Sequence, residues 1–201
     1  MRHASGPLST EEGFHWVAAM HRLLGISGSL RRDATNRKLV REAARLYGEA
    51  EYAEADIRLP LYDGDIEEGL GIPEEVRGLA ERIAASDAIL IAAPEYNKSI
   101  SGSLKNALDW VSRVDGNPWK DRPVAVMSAA AGRGGGEVAQ YAVRQALQAF
   151  RPRIVIGAPV MVAAAHSEFD GDGHLTSKSY IEALTQLMAA LRAEVELLGR
   201  R

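Results

Sequence analysis

The sequence contains no cysteine among its 201 residues. Disulfide bonds and thiolate zinc sites are therefore excluded, and so is the chemistry of cysteine-dependent phosphatases. The absence of cysteine fits the reducing cytoplasm, which is the compartment we expect, although many exported proteins also lack this residue.

Long apolar runs and an excess of positive charge are missing as well. The longest apolar stretch, residues 88–94, has the length of a strand, whereas a membrane-spanning helix needs about 20 apolar residues. The formal net charge is −3 at pH 7, so no basic surface for a nucleic acid is expected. These features predict a soluble protein that needs neither a membrane nor a nucleic acid as its partner.

Apolar residues are plentiful enough for one core, since they make up 46% of the chain. We therefore expect one domain over residues 21–201. Residues 1–20 carry several charges and have no apolar central region, so they do not have the form of a secretory signal. They are predicted to be a flexible N-terminal extension, and Phe14 and Trp16 leave a helical arm packed on a neighbour as the alternative.

Apolar segments of strand length alternate with amphipathic segments of helical period along the chain. This alternation favours a parallel sheet covered by helices on both faces, with right-handed crossovers. Residues 59–72 form a long loop in this arrangement, and such loops often cover a site or dock on another subunit. The expected strands begin at or span 23–24, 51–58, 88–93, 123–128 and 154–162, and the expected helices contain Leu39, Pro73, Leu104, Ala139 and Ile181 near their beginnings.

A polar turn with an aromatic residue follows the third expected strand. Ligands of open parallel sheets lie beyond the carboxyl ends of the strands, so a turn at this place suits the edge of a ligand site. Taken alone, Tyr96 is more often an ordinary loop aromatic and Glu95 a solvated carboxylate. In the helix that follows, Lys105 and Asn106 lie off the apolar stripe and are expected at the surface, with Trp110 in packing.

The turn after the first expected strand has the groups that a phosphate needs. Its glycines let the backbone approach a ligand closely, and the following helix directs unpaired amides towards it. Ser29, Thr35 and Asn36 offer neutral donors, and Arg31 offers a positive charge. The alternative is that Thr35 and Asn36 only cap the helix, since both residue types suit that position.

Two further segments are typical of turns. Residues 132–136 are rich in glycine and follow the fourth expected strand, which suits close approach by a ligand. Residues 170–173 resemble part of a calcium loop but lack its final glutamate, because Ile181 stands there, so a simple turn and no metal site is predicted. The five histidines show no zinc-binding spacing.

Three segments together resemble the NAD(P)H-dependent FMN reductase family, which includes quinone, azo-dye and chromate reductases. They are residues 25–31 with Asn36, residues 59–63, and residues 94–110. The resemblance covers nearly everything after Met20, with two departures: members often carry proline where Ser101 stands, and serine or proline where Ala130 and Ala131 stand. It implies an α/β fold of the flavodoxin-like type, a three-layer sandwich around a five-stranded parallel sheet with strand order 2-1-3-4-5.

The resemblance also implies which residues hold FMN. One group surrounds the phosphate, a second borders the flavin ring, and a third closes the other side of the ring. No catalytic side chain and no metal ligand is implied, because the flavin carries the chemistry. The phosphate group is Ser29, Arg31, Thr35 and Asn36 with Ser27 close by; the ring group is Pro94, Glu95, Tyr96 and Asn97 with Ser99 and Ile100 nearby; the third group is Ser128 with Gly132, Gly134 and Gly135.

The function implied is an FMN-dependent oxidoreductase that takes electrons from NADPH or NADH. It would pass them by a ping-pong mechanism to a small-molecule acceptor such as a quinone or an azo compound, and it would be a homodimer or homotetramer. The alternative is a flavodoxin-like electron carrier that binds FMN without its own NAD(P)H activity. Such carriers usually have a strongly acidic face, whereas the net charge here is mild.

Overall fold

The computed structural model describes residues 20–199. Residues 1–19, where the N-terminal extension was predicted, lie outside the described part, and Met20 is an exposed residue before the first strand. Strands and helices then alternate as predicted, except that two helices follow the second strand and the last strand is in two pieces; two short 3-10 turns lie at Gln148–Phe150 and Ala165–Ser167. The elements are β1 Arg22–Ser27, α1 Thr35–Tyr47, β2 Glu51–Glu54, α2 Gly64–Leu70, α3 Glu74–Ala85, β3 Ala88–Ala92, α4 Gly102–Val111, β4 Pro123–Ala129, α5 Glu137–Leu147, β5 Arg153–Ile154, β6 Met161–Val162 and α6 Lys178–Gly199.

The sheet has the order β2-β1-β3-β4-β5, and its paired strands are parallel. This order confirms the predicted flavodoxin-like arrangement. Every residue of β3 and β4 is buried, because helices cover the sheet on both faces. Successive side chains point to opposite faces, so Leu90 and Met127 pack towards α1 and α6, whereas Ile89 and Val126 pack towards α3, α4 and α5.

The fifth expected strand is divided into two short pieces. Both β5 and β6 pair with β4, and residues 156–159 between them leave the sheet. Ile156 in this bulge is 94% exposed. Pro159 has no N–H for a strand ladder and Gly157 weakens a strand, so the prediction of one continuous strand over 154–162 was wrong in its middle.

The segment 59–72 also differs from the expected loop, because it contains α2. Asp63 caps this helix by accepting a hydrogen bond from the backbone N–H of Asp65 at 2.9 Å. Pro73 is the N-cap residue of α3, one position before the helix. At the other end of α2 the Gly71 N–H donates to the Glu67 carbonyl at 2.9 Å, so this helix is capped at both ends.

Asn106 holds the start of this segment, which corrects its predicted place at the surface. Its amide nitrogen donates to the Pro60 carbonyl at 2.9 Å, and its oxygen accepts from the Tyr62 N–H at 2.9 Å. The indole of Trp110 donates to the same Pro60 carbonyl at 2.7 Å, and its ring meets the Tyr62 ring edge-on. Asn106 is off the apolar stripe of α4 but is buried by the 59–62 backbone.

A buried carboxylate fastens α1 to the loop that precedes α6. Glu42 has a fully buried side chain and binds Arg45 and His174, at 2.8 and 2.9 Å respectively. Burial alone would raise the pKa of Glu42, but the hydrogen bonds from Arg45 and His174 hold the pKa below its ordinary value. The ion pair therefore stabilises the fold when Glu42 is charged.

We predict that Glu42→Gln lowers the free energy of unfolding at neutral pH by about 1 to 3 kcal/mol, since it weakens charge-assisted hydrogen bonds in a buried place. Because the pKa is lowered in the folded state, this stabilisation is present above the ordinary glutamate pKa of about 4.3 and is lost as the pH falls below it. Urea unfolding at several pH values tests this, with Glu81→Gln at an exposed position as the control. A difference from the unmodified chain that grows towards acid pH would contradict the assignment.

Candidate functional site

A cavity of about 460 Å³ opens at the carboxyl ends of β1, β3 and β4. The turns that follow these three strands meet there, because parallel strands of one sheet end at the same edge. The two turns singled out in the sequence therefore line one cavity. The cavity is lined by Ser29, Arg31, Asp33, Ala34, Thr35, Asn36, Lys38, Pro94, Glu95, Tyr96, Ala129, Ala130, Ala131, Ala165 and His166.

A larger cleft of about 840 Å³ lies at the opposite edge, where the strands begin. It is bordered by residues before β1 and β4 and by the end of α6, including His21, Pro123 and Val195. The ligand-binding edge of an open parallel sheet is the carboxyl edge, where helix N-termini also converge. The smaller cavity is therefore the better candidate for the functional site.

The start of α1 presents unpaired backbone donors to the cavity. Ala34 is the N-cap residue, no side chain caps the helix, and its first turn holds no acidic residue. Within residues 20–199, the backbone N–H groups of Thr35 and Asn36 have no protein acceptor. Open amides at a helix N-terminus, with the exposed Arg31 beside them, fit a phosphate group.

The loop before α1 is shaped by its own polar groups. The Ser27 hydroxyl lies 3.3 Å from both the N–H and the carbonyl of Ser29, and the Ser29 hydroxyl accepts from the Arg31 N–H at 3.4 Å. Arg58, which sequence reasoning missed, donates to the Leu30 carbonyl at 2.6 Å. Ser27 is thus a support of the loop, while Ser29 and Arg31 reach the cavity.

Asn36 does not cap α1, so the capping alternative is not what the structure shows. Its amide nitrogen donates to the Ala129 carbonyl at 2.8 Å, and its oxygen accepts from the Ala129 N–H at 3.0 Å. Only 3% of Asn36 is exposed. The side chain therefore joins the beginning of α1 to the end of β4, while its backbone N–H stays available to a ligand.

The turn after β3 brings Tyr96 to the edge of the cavity. The N–H and carbonyl groups of Tyr96 and Ser99 exchange two hydrogen bonds of 3.0 Å. Between them, Asn97 and Lys98 both have positive φ, at 50° and 62°, which closes a tight turn and is unfavourable for lysine. Tyr96 is 48% exposed, so its ring is available for stacking at the cavity mouth.

The turns after β1 and β3 are also fastened to each other. The Ser101 and Ser103 hydroxyls both donate to the Gly28 carbonyl, at 2.5 and 3.0 Å. A Cβ at Gly28 would lie 2.7 Å from the Pro94 ring, so no larger residue fits between the turns. Ser101, which stands where members of the family often carry proline, also caps α4 by accepting a hydrogen bond from the Leu104 N–H.

The glycine-rich turn after β4 is held from beneath by buried polar groups. Ser128 is fully buried, and its hydroxyl donates to the Gly135 carbonyl at 2.6 Å. Gln140 donates to the Ser128 hydroxyl and to the Val160 carbonyl, at 3.0 and 2.7 Å. Gly135 has a φ of 58°, and a Cβ there would lie 2.4 Å from the Met161 carbonyl oxygen, so glycine is required.

The structure thus separates the predicted site residues into those that line the cavity and those that stand behind it. It also adds lining residues that were not predicted to hold the ligand, around the start of α1, at the end of β4 and after β6. The predicted residues in the lining are Ser29, Arg31, Thr35, Asn36, Pro94, Glu95 and Tyr96; those outside it are Ser27, Asn97, Ser99, Ile100, Ser128, Gly132, Gly134 and Gly135; the additions are Asp33, Ala34, Lys38, Ala129, Ala130, Ala131, Ala165 and His166.

Residues 20–199 contain neither a metal-binding cluster nor a helix suited to span a membrane. No group of three or more histidine, aspartate or glutamate side chains in this range is placed to hold a metal ion. The helices of the same range include none with the length and apolarity needed to cross a bilayer. The residues 170–173 form the predicted turn, with the Asp170 carboxylate accepting from the N–H groups of Asp172 and His174.

Known proteins resemble this chain over most of its length. An NAD(P)H-dependent FMN reductase of Pseudomonas aeruginosa is 40% identical over 179 residues, which cover 88% of this chain and 96% of that protein. An NADPH:quinone oxidoreductase of Arabidopsis thaliana is 37% identical over 186 residues, covering 88% of this chain and 93% of that one.

Solved structures agree. The flavoenzyme NAD(P)H:(acceptor) oxidoreductase of Paracoccus denitrificans has a TM-score of 0.76 and 31% identity, covering 90% of this chain and 98% of that chain. A WrbA-like flavodoxin of Agrobacterium tumefaciens, at 15% identity and a TM-score of 0.57, covers 88% of this chain and 98% of that chain and shares the fold. The model of the NADPH-dependent FMN reductase family matches residues 21–167. The chain is therefore a member of the NADPH-dependent FMN reductase family and an oxidoreductase.

Proposed function

We propose that this protein binds FMN in the cavity at the carboxyl edge of its sheet and passes electrons from NADPH or NADH to a small quinone-like or azo acceptor. The observation that carries the proposal is the junction of an open helix N-terminus and an exposed aromatic turn in one cavity of about 460 Å³. The related reductases of Pseudomonas and Arabidopsis, named for NAD(P)H, FMN and quinone, support it.

The phosphate would be held at the start of α1. Arg31, Thr35 and Asn36 all line the cavity, and the N–H groups of Thr35 and Asn36 have no acceptor within residues 20–199. An anion at a helix N-terminus gains about 0.3 to 1 kcal/mol from the helix dipole, so direct hydrogen bonds must provide most of the affinity. Ser29 and the Thr35 hydroxyl are the nearest neutral donors.

The flavin ring would lie between the turn that carries Tyr96 and the small residues Ala130 and Ala131. Alanine side chains leave room for a flat ring, and Pro94 limits its movement towards the sheet, because Pro94 is buried against Gly28. When bound, FMN supplies the redox chemistry, and the chain supplies position and exclusion of water. No acid or base side chain is required of the protein.

The proposed site has one mouth through which both substrates would reach the flavin, and this favours a ping-pong order of reaction. The exposed Tyr96 ring stands on one side of the mouth, and a nicotinamide and an acceptor would use the same place in turn. The alternative role as an electron carrier is disfavoured by the mild net charge of −3, since carriers dock through strongly acidic surfaces.

We also propose that the chain is a homodimer or homotetramer with the segment 59–72 at the contact. No residue of α2 is buried in the described structure, although Ile66 and Leu70 are apolar. Leu61 and Leu70 are 80% and 85% exposed. Large apolar side chains in such exposed places are typical of subunit contacts, and a second copy of the chain is the simplest partner.

Purified protein reconstituted with FMN should oxidise NADPH rapidly when a quinone is present. Because a ping-pong order has two half-reactions, NADPH alone should bleach the flavin absorbance, and the quinone added afterwards should restore it. Stopped-flow spectroscopy measures both steps, and a flavin that NADPH leaves oxidised would favour the carrier instead.

Arg31→Ala should weaken FMN binding about tenfold, which is the size expected for loss of a charge-assisted contact to phosphate. Arg32→Ala is the matched control, because it is the neighbouring exposed arginine and does not line the cavity. Fluorescence titration of the flavin-free protein gives both dissociation constants. Equal values for the two variants would remove Arg31 from the phosphate site.

Leu61→Glu combined with Leu70→Glu should shift the protein towards a 21.7 kDa monomer, because two charges would be desolvated in the contact. Light scattering measures the mass. Leu197→Glu, at an apolar side chain of α6 that is 50% exposed, should leave the mass unchanged. An unmodified protein that is monomeric at all concentrations would contradict the assembly.

A further inference from the structure

We propose that Glu95 is a positioning residue: its carboxylate caps α5 from a distance and thereby fixes the Tyr96 turn at the cavity mouth. The enzymatic consequence rests on the proposed FMN site, whereas the capping contact belongs to the chain itself. Glu95 thus acts through the turn that it holds. It is not the solvated carboxylate that its sequence context alone favours.

The beginning of α5 needs an acceptor that its own sequence does not supply. Its N-cap is Gly136, which has no side chain to offer. The N–H of Glu137 reaches the Gly134 carbonyl at 3.1 Å, and the N–H of Val138 is met by the Glu95 carboxylate at 3.1 Å. A carboxylate at this position also interacts favourably with the positive end of the helix dipole.

The Tyr96 turn, residues 94–100, is anchored at its flanks, where the Ala93 N–H binds the Met127 carbonyl and the Ser101 hydroxyl binds the Gly28 carbonyl, but it has few attachments along its own length. The two hydrogen bonds between Tyr96 and Ser99 close it on itself. Within residues 20–199, the bond from Val138 to Glu95 is the one hydrogen bond that joins this turn to another part of the chain. The turn also contains two non-glycine residues with positive φ, a strained conformation that needs support from its surroundings.

The partner that matters is the helix amide, since the other contact of Glu95 is weak. Lys98 approaches the carboxylate at 3.4 Å, but its side chain is 82% exposed, and exposed ion pairs contribute little. The Glu95 side chain is 16% exposed, and its hydrogen bond to the Val138 N–H lies at the surface but is charge-assisted. The carboxylate is charged and long enough to accept a hydrogen bond from the Val138 N–H, so Glu95 joins the Tyr96 turn to the first turn of α5.

This link sets the distance between the two sides of the proposed ring site. Tyr96 stands on one side, and Ala130 and Ala131, which lead into the glycine-rich turn before α5, stand on the other. Because Ser128 and Gln140 hold that second turn firmly, it is the Tyr96 turn that the carboxylate restrains. Loss of the contact would widen and loosen the mouth without changing the phosphate site.

The test compares Glu95→Ala, Glu95→Asp and Glu95→Gln in the full chain. Amide exchange of Val138 is measured by NMR in the flavin-free protein, and the FMN dissociation constant by fluorescence. We expect Glu95→Ala to speed Val138 exchange and to weaken FMN binding, each about tenfold, as for loss of a hydrogen bond to a charged group. Glu95→Asp should behave similarly because its shorter side chain does not reach the amide, whereas Glu95→Gln should stay within about threefold of the unmodified chain since its carbonyl still accepts.

Lys98→Ala is the control and should change neither quantity. Thermal unfolding of the flavin-free variants shows whether each one is folded, and Glu95→Gln and Glu95→Asp decide the matter if Glu95→Ala is not. Unchanged Val138 exchange in Glu95→Asp would overturn the capping contact. Faster exchange with unchanged FMN affinity would overturn the positioning role, while an unmodified chain that does not bind FMN would overturn the proposed function and leave exchange to decide the contact.

Discussion

The paired hydrogen bonds between Asn36 and the backbone of Ala129 are the contact on which the site depends most. They join the first turn of α1 to the last residue of β4, across the carboxyl edge of the sheet. Both partners are buried, so an unpaired amide or carbonyl there would cost about 1 to 3 kcal/mol. The start of the helix therefore has a fixed place relative to the sheet before any ligand arrives.

The other turns of the site are fixed in the same manner, by a side chain that binds a backbone group elsewhere at the same edge of the sheet. Ser101 binds Gly28, Glu95 binds Val138, and Ser128 binds Gly135. These contacts form a closed path around the cavity. When the loops of a site are ordered before the ligand binds, less binding free energy is lost on ordering them. This suits a cofactor that must stay bound through many turnovers.

The alternating strands and helices and the polar turns at the ends of the strands could be predicted from the sequence. Alternating apolar segments determine a parallel sheet with covered faces, and the polar turns after β1 and β3 had to meet because both strands end at one edge. The missed features come from distant contacts. Asn106 is buried by a backbone segment more than forty residues away, and His166 reaches the cavity because the fifth strand breaks around Pro159, neither of which a local period reveals.

The roles of individual site residues were harder to predict than the location of the site. Residue type indicated that Asn36 and Ser128 belong to a polar site, but the structure gives both side chains to backbone partners. The amide of asparagine and the hydroxyl of serine can form hydrogen bonds with a ligand or with the protein backbone equally well. Only the geometry distinguishes the two uses.

The most direct measurement is a crystal structure of the protein with FMN. The account predicts the phosphate within hydrogen-bond distance of the backbone N–H groups of Thr35 and Asn36, the ring between Tyr96 and Ala130, and the bonds of Asn36 to Ala129 retained. Flavin bound at the opposite edge of the sheet, or an Asn36 side chain that leaves Ala129 to bind the phosphate, would contradict it.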